Sequence, residues 1–189
     1  MDILVILGDL KHSILRPPPN ERFLVTSLLT YLSGKGVEVH LLRGNHDSRI
    51  EKMIPNLENI HLSEEAWMRI NLQGSGSALI THGHRRVPSQ IISPSDIIIL
   101  GHLHPCLKIT GRMGETMILR VFLEVKARYT GDGVKRIVIL PAFNPLCCYL
   151  FDPYELKKRL VVLRDFAYEP EEIDVFDLAR NYLKGLVKP

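Results

Sequence analysis

The segment LLRGNHDSRI, residues 41–50, leads from an apolar stretch almost directly into a cluster of polar residues. Residues 37–42 have the composition of a buried strand, and the tetrad GNHD, residues 44–47, follows them after a single arginine. Taken alone, such a tetrad is typical of a turn, or of the cap of a helix that begins in DSRIEKMI. The ends of the other strands in the chain favour a different interpretation.

The region before this segment has the order strand, helix, strand. Residues 3–7 form an apolar run of the kind found in strands buried on both faces, and the run ends at Gly8-Asp9. Residues 20–34 then carry apolar side chains at helical spacing, and Asn20 can cap this helix. Strands joined by such a crossover are usually parallel and present their carboxyl ends at one edge of the sheet. We therefore expect Asp9 and the GNHD tetrad to lie at a common edge.

Two later strands end in histidines. Residues 77–81 lead into HGH, residues 82–84, and residues 96–100 lead into GHLH, residues 101–104. Both follow short apolar runs with the pattern of strands. Residues 107–140 are mostly strand pattern as well, which predicts a second sheet, whereas the tail from residue 153 shows no strong period.

The polar residues at these strand ends share the chemistry of metal ligands. Each alone is better explained by a structural role, because a Gly-Asp pair after a strand is usually a turn. Together they bring imidazoles, carboxylates and an amide to one edge of the fold, and such a gathering of polar groups needs a compensating partner. Histidine with carboxylate suits divalent transition ions, and a carboxylate with two oxygens, such as Asp9, can bridge two of them. The candidates are Asp9, Asn45, His46, Asp47, His82, His102 and His104.

Composition sets the broad class. With 189 residues, 46% hydrophobic and 24% charged, the chain predicts one soluble domain over residues 1–189. No apolar run approaches the ~20 residues of a membrane span. The start MDILVILGDLKH does not resemble a signal peptide, so we expect a cytoplasmic location. A net charge of +3 does not by itself favour nucleic acid as a partner.

The remaining candidate ligands are interpreted as structural. Cys106, Cys147 and Cys148 form no even framework, and adjacent cysteines seldom bond to each other, so buried reduced thiols are favoured. A metal site at the Cys-Cys pair is the alternative. His40, in a strand, and His61, in a short polar break, are both interpreted as structural.

Four motifs, in their order along the chain, resemble the calcineurin-like metallophosphoesterase superfamily. They are GD at 8–9, GNHD at 44–47, HG at 82–83 and GHLH at 101–104. The longer forms GDLKH, RGNHD, THGH and GHLHP, with LPAFNPL at 140–146, are most similar to the archaeal and bacterial ICC-like phosphoesterases. GNHD followed by GHLH carries most of the specificity, since GD or HG alone is common.

The resemblance implies a fold and a metal site. The fold is a four-layer α/β/β/α sandwich with two metal ions at the carboxyl ends of its strands. Asp9 would bridge the two ions, and His104 would bind the first of them. Asn45, His82 and His102 would complete the second. The ion we expect is divalent manganese, with iron, zinc and nickel as alternatives.

The resemblance also implies a reaction, the hydrolysis of a phosphodiester or phosphomonoester by a metal-bound hydroxide. His46 would meet the phosphate and protonate the leaving alkoxide, with Asp47 orienting it. His84 and Arg85 are candidates for substrate binding, because guanidinium groups match phosphate oxygens. A solvated surface side chain is the simpler interpretation of Arg85.

One motif of the superfamily has no counterpart in this sequence. The superfamily carries D-x-H on a strand before the GD motif, and these two residues complete the first ion, but residues 1–7 contain no such pattern. We therefore expect the sandwich to lack its first strand and the first ion site to be incomplete, so that the chain holds one ion well. Either the start is misassigned or truncated, or the chain is complete and exposes a sheet edge that favours a homodimer.

Two functions of different classes follow. The first is a metal-dependent phosphoesterase, impaired if its first ion site is incomplete, with a nucleotide or nucleic acid among the substrates to consider. The second is a metal-binding interaction protein that keeps the fold and has lost turnover.

Overall fold

The computed structural model describes residues 2–74, 76–129, 133–164 and 168–183. The chain divides into two compact units, residues 1–68 and 69–189. The mixed α/β class expected from the sequence is confirmed, and the single domain over residues 1–189 stays a prediction. Among the described helices, none is long and apolar enough to cross a membrane.

The first unit contains a three-stranded parallel sheet and one long helix. The strands are β1 (Ile3–Ile6), β2 (Glu38–Leu42) and β3 (Ile60–Ser63), in the order β1-β2-β3. Helix α1 (Pro19–Gly34) connects β1 to β2, which confirms the predicted parallel crossover. A short 3-10 turn, Ile50–Lys52, stands where the sequence suggested a helix after the GNHD tetrad.

The core of this unit lies between α1 and one face of the sheet. Because side chains alternate along a strand, Val39 points to the helix side while Glu38 and His40 point to the other. The buried cluster consists of Val25, Leu29, Val39, Met53 and Ile60. The helix begins at Pro19, so the prediction that Asn20 caps it is wrong, since the fixed φ of a proline suits the first helical turn.

The second unit contains two sheets. The elements in chain order are β4 (Trp67–Leu72, which starts in the first unit), β5 (Gly76–Thr81), α2 (Ser89–Ile92), β6 (Ile97–Leu100), β7 (Pro105–Thr110), β8 (Thr116–Arg120), β9 (Phe122–Tyr129), β10 (Gly133–Ile139), β11 (Tyr149–Leu150), α3 (Pro153–Arg159) and β12 (Tyr168–Phe176). One sheet has the order β12-β9-β10-β6-β5-β4, and the other has the order β11-β7-β8.

The strands predicted over residues 107–140 are present, but the prediction that they form one second sheet is wrong. β7 and β8 pair with each other, whereas β9 and β10 join the six-stranded sheet, where β10 lies parallel to β6. β10 suits that place because its alternate side chains Ile137 and Ile139 are buried. The tail also holds more structure than its weak period indicated, namely α3 and β12. The glycine turn predicted at residues 131–133 lies largely outside the described residues.

The cysteines differ from expectation. Cys106 and Cys148 form a disulfide, and Cys147 is free and half-buried. The expectation of reduced thiols is therefore wrong for two of the three cysteines. The sequence pattern missed the pair because residue 148 stands next to β11, whose Leu150 pairs with Cys106 of β7, and this proximity arises only from strand pairing.

Candidate metal centre

Two loops at the carboxyl ends of β1 and β2 meet in the first unit. The strands run parallel with Ile6 opposite Leu41, so the loop with Asp9 and the GNHD loop leave the sheet side by side. Oδ1 of Asp9 accepts a hydrogen bond from the backbone N–H of His46 at 2.8 Å. The predicted common edge is thus present, and Asn45 stands exposed between Gly44 and His46.

The carboxylate of Asp47 connects these two loops. It is fully buried and accepts hydrogen bonds from the backbone N–H groups of Asp9 at 2.6 Å and Gly44 at 2.8 Å, with a longer contact to Lys11 at 3.4 Å. Burial raises the pKa of the Asp47 carboxyl above its ordinary value, although the amide hydrogen bonds act in the opposite direction. All the hydrogen bonds that the structure gives this side chain are to backbone amides, so it influences His46 through the position of the loop.

The imidazole of His46 is held from its other side. Its Nδ1 lies 2.7 Å from the carbonyl oxygen of His12. Because a carbonyl oxygen only accepts, this contact favours the tautomer that carries its hydrogen on Nδ1. The contact fixes the orientation of the His46 ring.

Lys11 is a residue that sequence reasoning did not single out. Its side chain is 1% exposed, and its ammonium group donates to the carbonyl oxygens of Ser13 and His46. Buried lysines are rare, and in the sequence Lys11 is only a charged residue in a polar loop, so no signal marks it. The same applies to His12, which contributes a backbone carbonyl to His46 that side-chain patterns cannot predict.

In the second unit, three histidines gather at the ends of β5 and β6. These strands are parallel neighbours with Thr81 opposite Leu100, so His82 and His102 follow them at the same edge. Their ring centroids lie 5.0 Å apart, and the ring of His84 lies 5.0 Å from that of His82. His82 is 1% exposed, and so complete a burial is uncommon for a histidine side chain.

Several candidate ligands have an unusual backbone. Asp9, His102 and His104 have φ values of 54°, 61° and 46°, in the left-handed region that side chains other than glycine seldom adopt. Such residues cost of order 1–3 kcal/mol each and occur preferentially at functional sites. Among the described residues, only Arg49 and Arg180 share this feature outside the glycines.

Each unit therefore supplies ligands of the kind that transition metals prefer. The first offers the Asp9 carboxylate and the Asn45 amide from adjacent loops, and the second offers imidazoles clustered at adjacent strand ends. Asp9, His82 and His102 are candidate metal-binding residues. Nitrogen and oxygen donors without thiolate suit Mn, Fe, Zn or Ni ions, and the residues fit such an ion.

Comparison with known proteins decides the family. The family model "calcineurin-like phosphoesterase" matches residues 1–164. The chain belongs to the calcineurin-like phosphoesterase family. Among solved structures, it is similar to a conserved uncharacterised protein of Streptococcus pneumoniae TIGR4, a predicted phosphoesterase, at 15% identity over 98% of this chain and 94% of that chain, with a TM-score of 0.35. The comparison with curated proteins found no match.

Membership in the calcineurin-like phosphoesterase family gives the chain a general function. The family is metal-dependent, and membership supports a metal-dependent phosphoesterase in general. The several sheets and few helices are consistent with the metallophosphoesterase fold.

Proposed function

We propose that this chain is a metal-dependent hydrolase of phosphodiesters or phosphomonoesters, in the ICC-like branch of the calcineurin-like phosphoesterases. One observation carries the proposal: in each unit, two adjacent parallel strands end in metal-ligand residues, Asp9 beside Asn45 and His82 beside His102. The longer motifs GDLKH, RGNHD, THGH and GHLHP support the branch.

The ligands we propose are Asp9, Asn45, His82, His102 and His104. When bound, a divalent ion would polarise the phosphoryl oxygens and lower the pKa of a bound water molecule toward neutral pH. Manganese is the ion we propose first. The location we propose for the enzyme is the cytoplasm. The hydrogen bond from the His46 amide orients the Asp9 carboxylate before any ion binds, which reduces the ordering required on binding.

His46 is the proposed general acid. The His12 carbonyl oxygen accepts a hydrogen bond from Nδ1, so Nε2 is the ring nitrogen that would deliver a proton to the leaving oxygen. Asp47 and Lys11 position this side chain through the loop backbone. Asp47 accepts hydrogen bonds from backbone amides, and Lys11 donates to the carbonyl oxygen of His46. His84 ends the motif that begins at His82, and the exposed Arg85 follows it directly. Both are proposed to contact the substrate phosphate.

Substitution of Asn45 tests the proposal directly. We expect Asn45→Ala to lower Mn²⁺-dependent hydrolysis by at least about 100-fold, because loss of a group that positions or stabilises reacting oxygens typically costs this much. Asn56→Ala, at an exposed asparagine of the same unit, is the matched control and should keep full turnover. Turnover is measured with an aryl phosphodiester and an aryl phosphomonoester in parallel, which also identifies the ester type.

The outcomes separate the two functions. Equal turnover in both variants would refute the role of Asn45. Tight Mn²⁺ binding by the wild type with hydrolysis of neither ester would favour a metal-binding interaction protein of the same fold.

A further inference from the structure

A second group of side chains with metal-ligand chemistry lies in the first unit, on the sheet itself. It consists of Glu38, His40 and His61, whose ligand atoms all lie within 4.8 Å of one another. From the sequence, both histidines were interpreted as structural, His40 because it falls in a strand and His61 because it falls in a short polar break. Strand pairing brings them together.

The register of β2 and β3 explains the cluster. His40 of β2 is directly opposite His61 of β3, and Glu38 stands two residues before His40, so all three occupy one face of the sheet. Val39 and Ile60, which pair with each other, belong to the core beside α1, so the cluster is on the face opposite the helix.

The distances fit a single ion of the zinc type. Oε1 of Glu38 lies 3.0 Å from Nε2 of His40 and 3.6 Å from Nε2 of His61. In a tetrahedral site with metal–ligand bonds of about 2.0–2.1 Å, neighbouring ligand atoms are about 3.3 Å apart. The two imidazoles are stacked, with an interplanar angle of 28° and centroids 4.9 Å apart, and Nε2 of each lies near the same carboxylate oxygen.

The cluster is accessible but not fully solvated. The side chains of Glu38, His40 and His61 are 22%, 28% and 45% exposed. An ion can reach these atoms from solvent. Partial burial weakens competition from water for these atoms. It also makes the close approach of a carboxylate and two imidazoles costly in free energy unless a bound partner offsets it.

We propose that Glu38, His40 and His61 bind a divalent transition-metal ion, Zn²⁺ or a similar borderline ion, and leave one position open to water. Two imidazoles and one carboxylate are a ligand set that zinc uses when a fourth position stays open. The site is separate from the phosphoesterase loops, because it lies on the face of the paired strands β2 and β3, whereas Asn45 stands in the loop that follows the carboxyl end of β2 at Leu42. Bound metal would join β2 to β3 by a link between side chains.

Cobalt binding tests this site on the full chain. Metal-stripped protein is titrated with Co²⁺, and the visible absorption of four-coordinate cobalt is recorded together with the equivalents bound. We expect His61→Ala to lose one equivalent and the four-coordinate absorption. Glu38→Gln should weaken that equivalent by more than about tenfold, since even loss of an outer partner of a ligand commonly costs this much.

Two controls make the result specific. Glu58→Gln changes an exposed carboxylate of the same unit and should leave the titration unchanged. Hydrolysis of aryl phosphoesters in Mn²⁺ should be the same in Glu38→Gln as in the wild type, which keeps this test independent of the proposed function. Unaltered Co²⁺ stoichiometry and affinity in both His61→Ala and Glu38→Gln, or no four-coordinate signal in the wild type, would overturn the proposal.

Discussion

At the residue scale, the close approach of two loops determines which residues fit the candidate metal centre. A Cβ atom built on Gly44 would lie 2.2 Å from Oδ1 of Asp9 and 2.4 Å from its backbone nitrogen. Real Cβ atoms do not come so close to other heavy atoms. A movement of the Asp9 side chain could not relieve the overlap with its backbone nitrogen. Glycine at the start of the GNHD tetrad is thus required by the position of Asp9.

We expect Gly44→Ala to displace the Asp9 loop and lower the free energy of unfolding by about 1–3 kcal/mol, the usual cost of overpacking. Mn²⁺-dependent turnover should fall with it. Gly34→Ala is the matched control, because nothing lies within 4 Å of a Cβ at Gly34, and it should be neutral or stabilising by up to about 1 kcal/mol. Urea unfolding of both variants measures the difference, and equal stabilities would contradict the close approach.

The sequence predicted the candidate ligands but not the residues that support them. Asp9, His82 and His102 were predictable because each follows an apolar strand and parallel strands end at one edge. Lys11 was not, since its burial depends on how two loops pack. The link between Glu38, His40 and His61 was equally hidden, because the pairing of β2 with β3 depends on a register that no local pattern specifies.

At the element scale, the strands and the parallel pairing of β1 with β2 were predictable, whereas the partners of the later strands were not. Short apolar runs located β1, β2, β5 and β6, whereas the separation of β9 and β10 from β7 and β8 depends on long-range pairing. The two-residue strand β11 is a second example. It is too short to pair strongly with β7, and the Cys106–Cys148 disulfide beside it holds this segment in place.

Removing the disulfide should cost roughly 2–4 kcal/mol of unfolding free energy, because it closes a loop between residues 42 positions apart. The variant Cys147→Ser/Cys148→Ser prevents Cys147 from replacing its neighbour, and Cys147→Ser alone is the control. Denaturant unfolding without reductant compares the two proteins. If they unfold at the same denaturant concentration, or if a thiol reductant leaves the control unchanged, the disulfide does not contribute to stability.

At the scale of the whole molecule, the composition and strand order predicted the mixed α/β class and the motifs predicted the family, and both are confirmed. The proposed ligands are divided between the two units, with Asp9 and Asn45 in one and the histidines in the other. Local patterns cannot establish that they share an ion, since this depends on the arrangement of the complete chain. The Mn²⁺ affinities of single and double variants can establish whether these residues share an ion.

The most direct measurement is a double-mutant cycle of Mn²⁺ affinity with Asn45→Ala, His82→Ala and the pair, each checked for folding by thermal unfolding. If both residues bind one ion, each single variant loses more than about tenfold in affinity, and the pair loses much less than the product of the two, because neighbours that share a partner are not additive. Turnover of the aryl phosphoester disappears in all three variants. Losses that multiply independently, with turnover retained in either single variant, would contradict a shared metal centre.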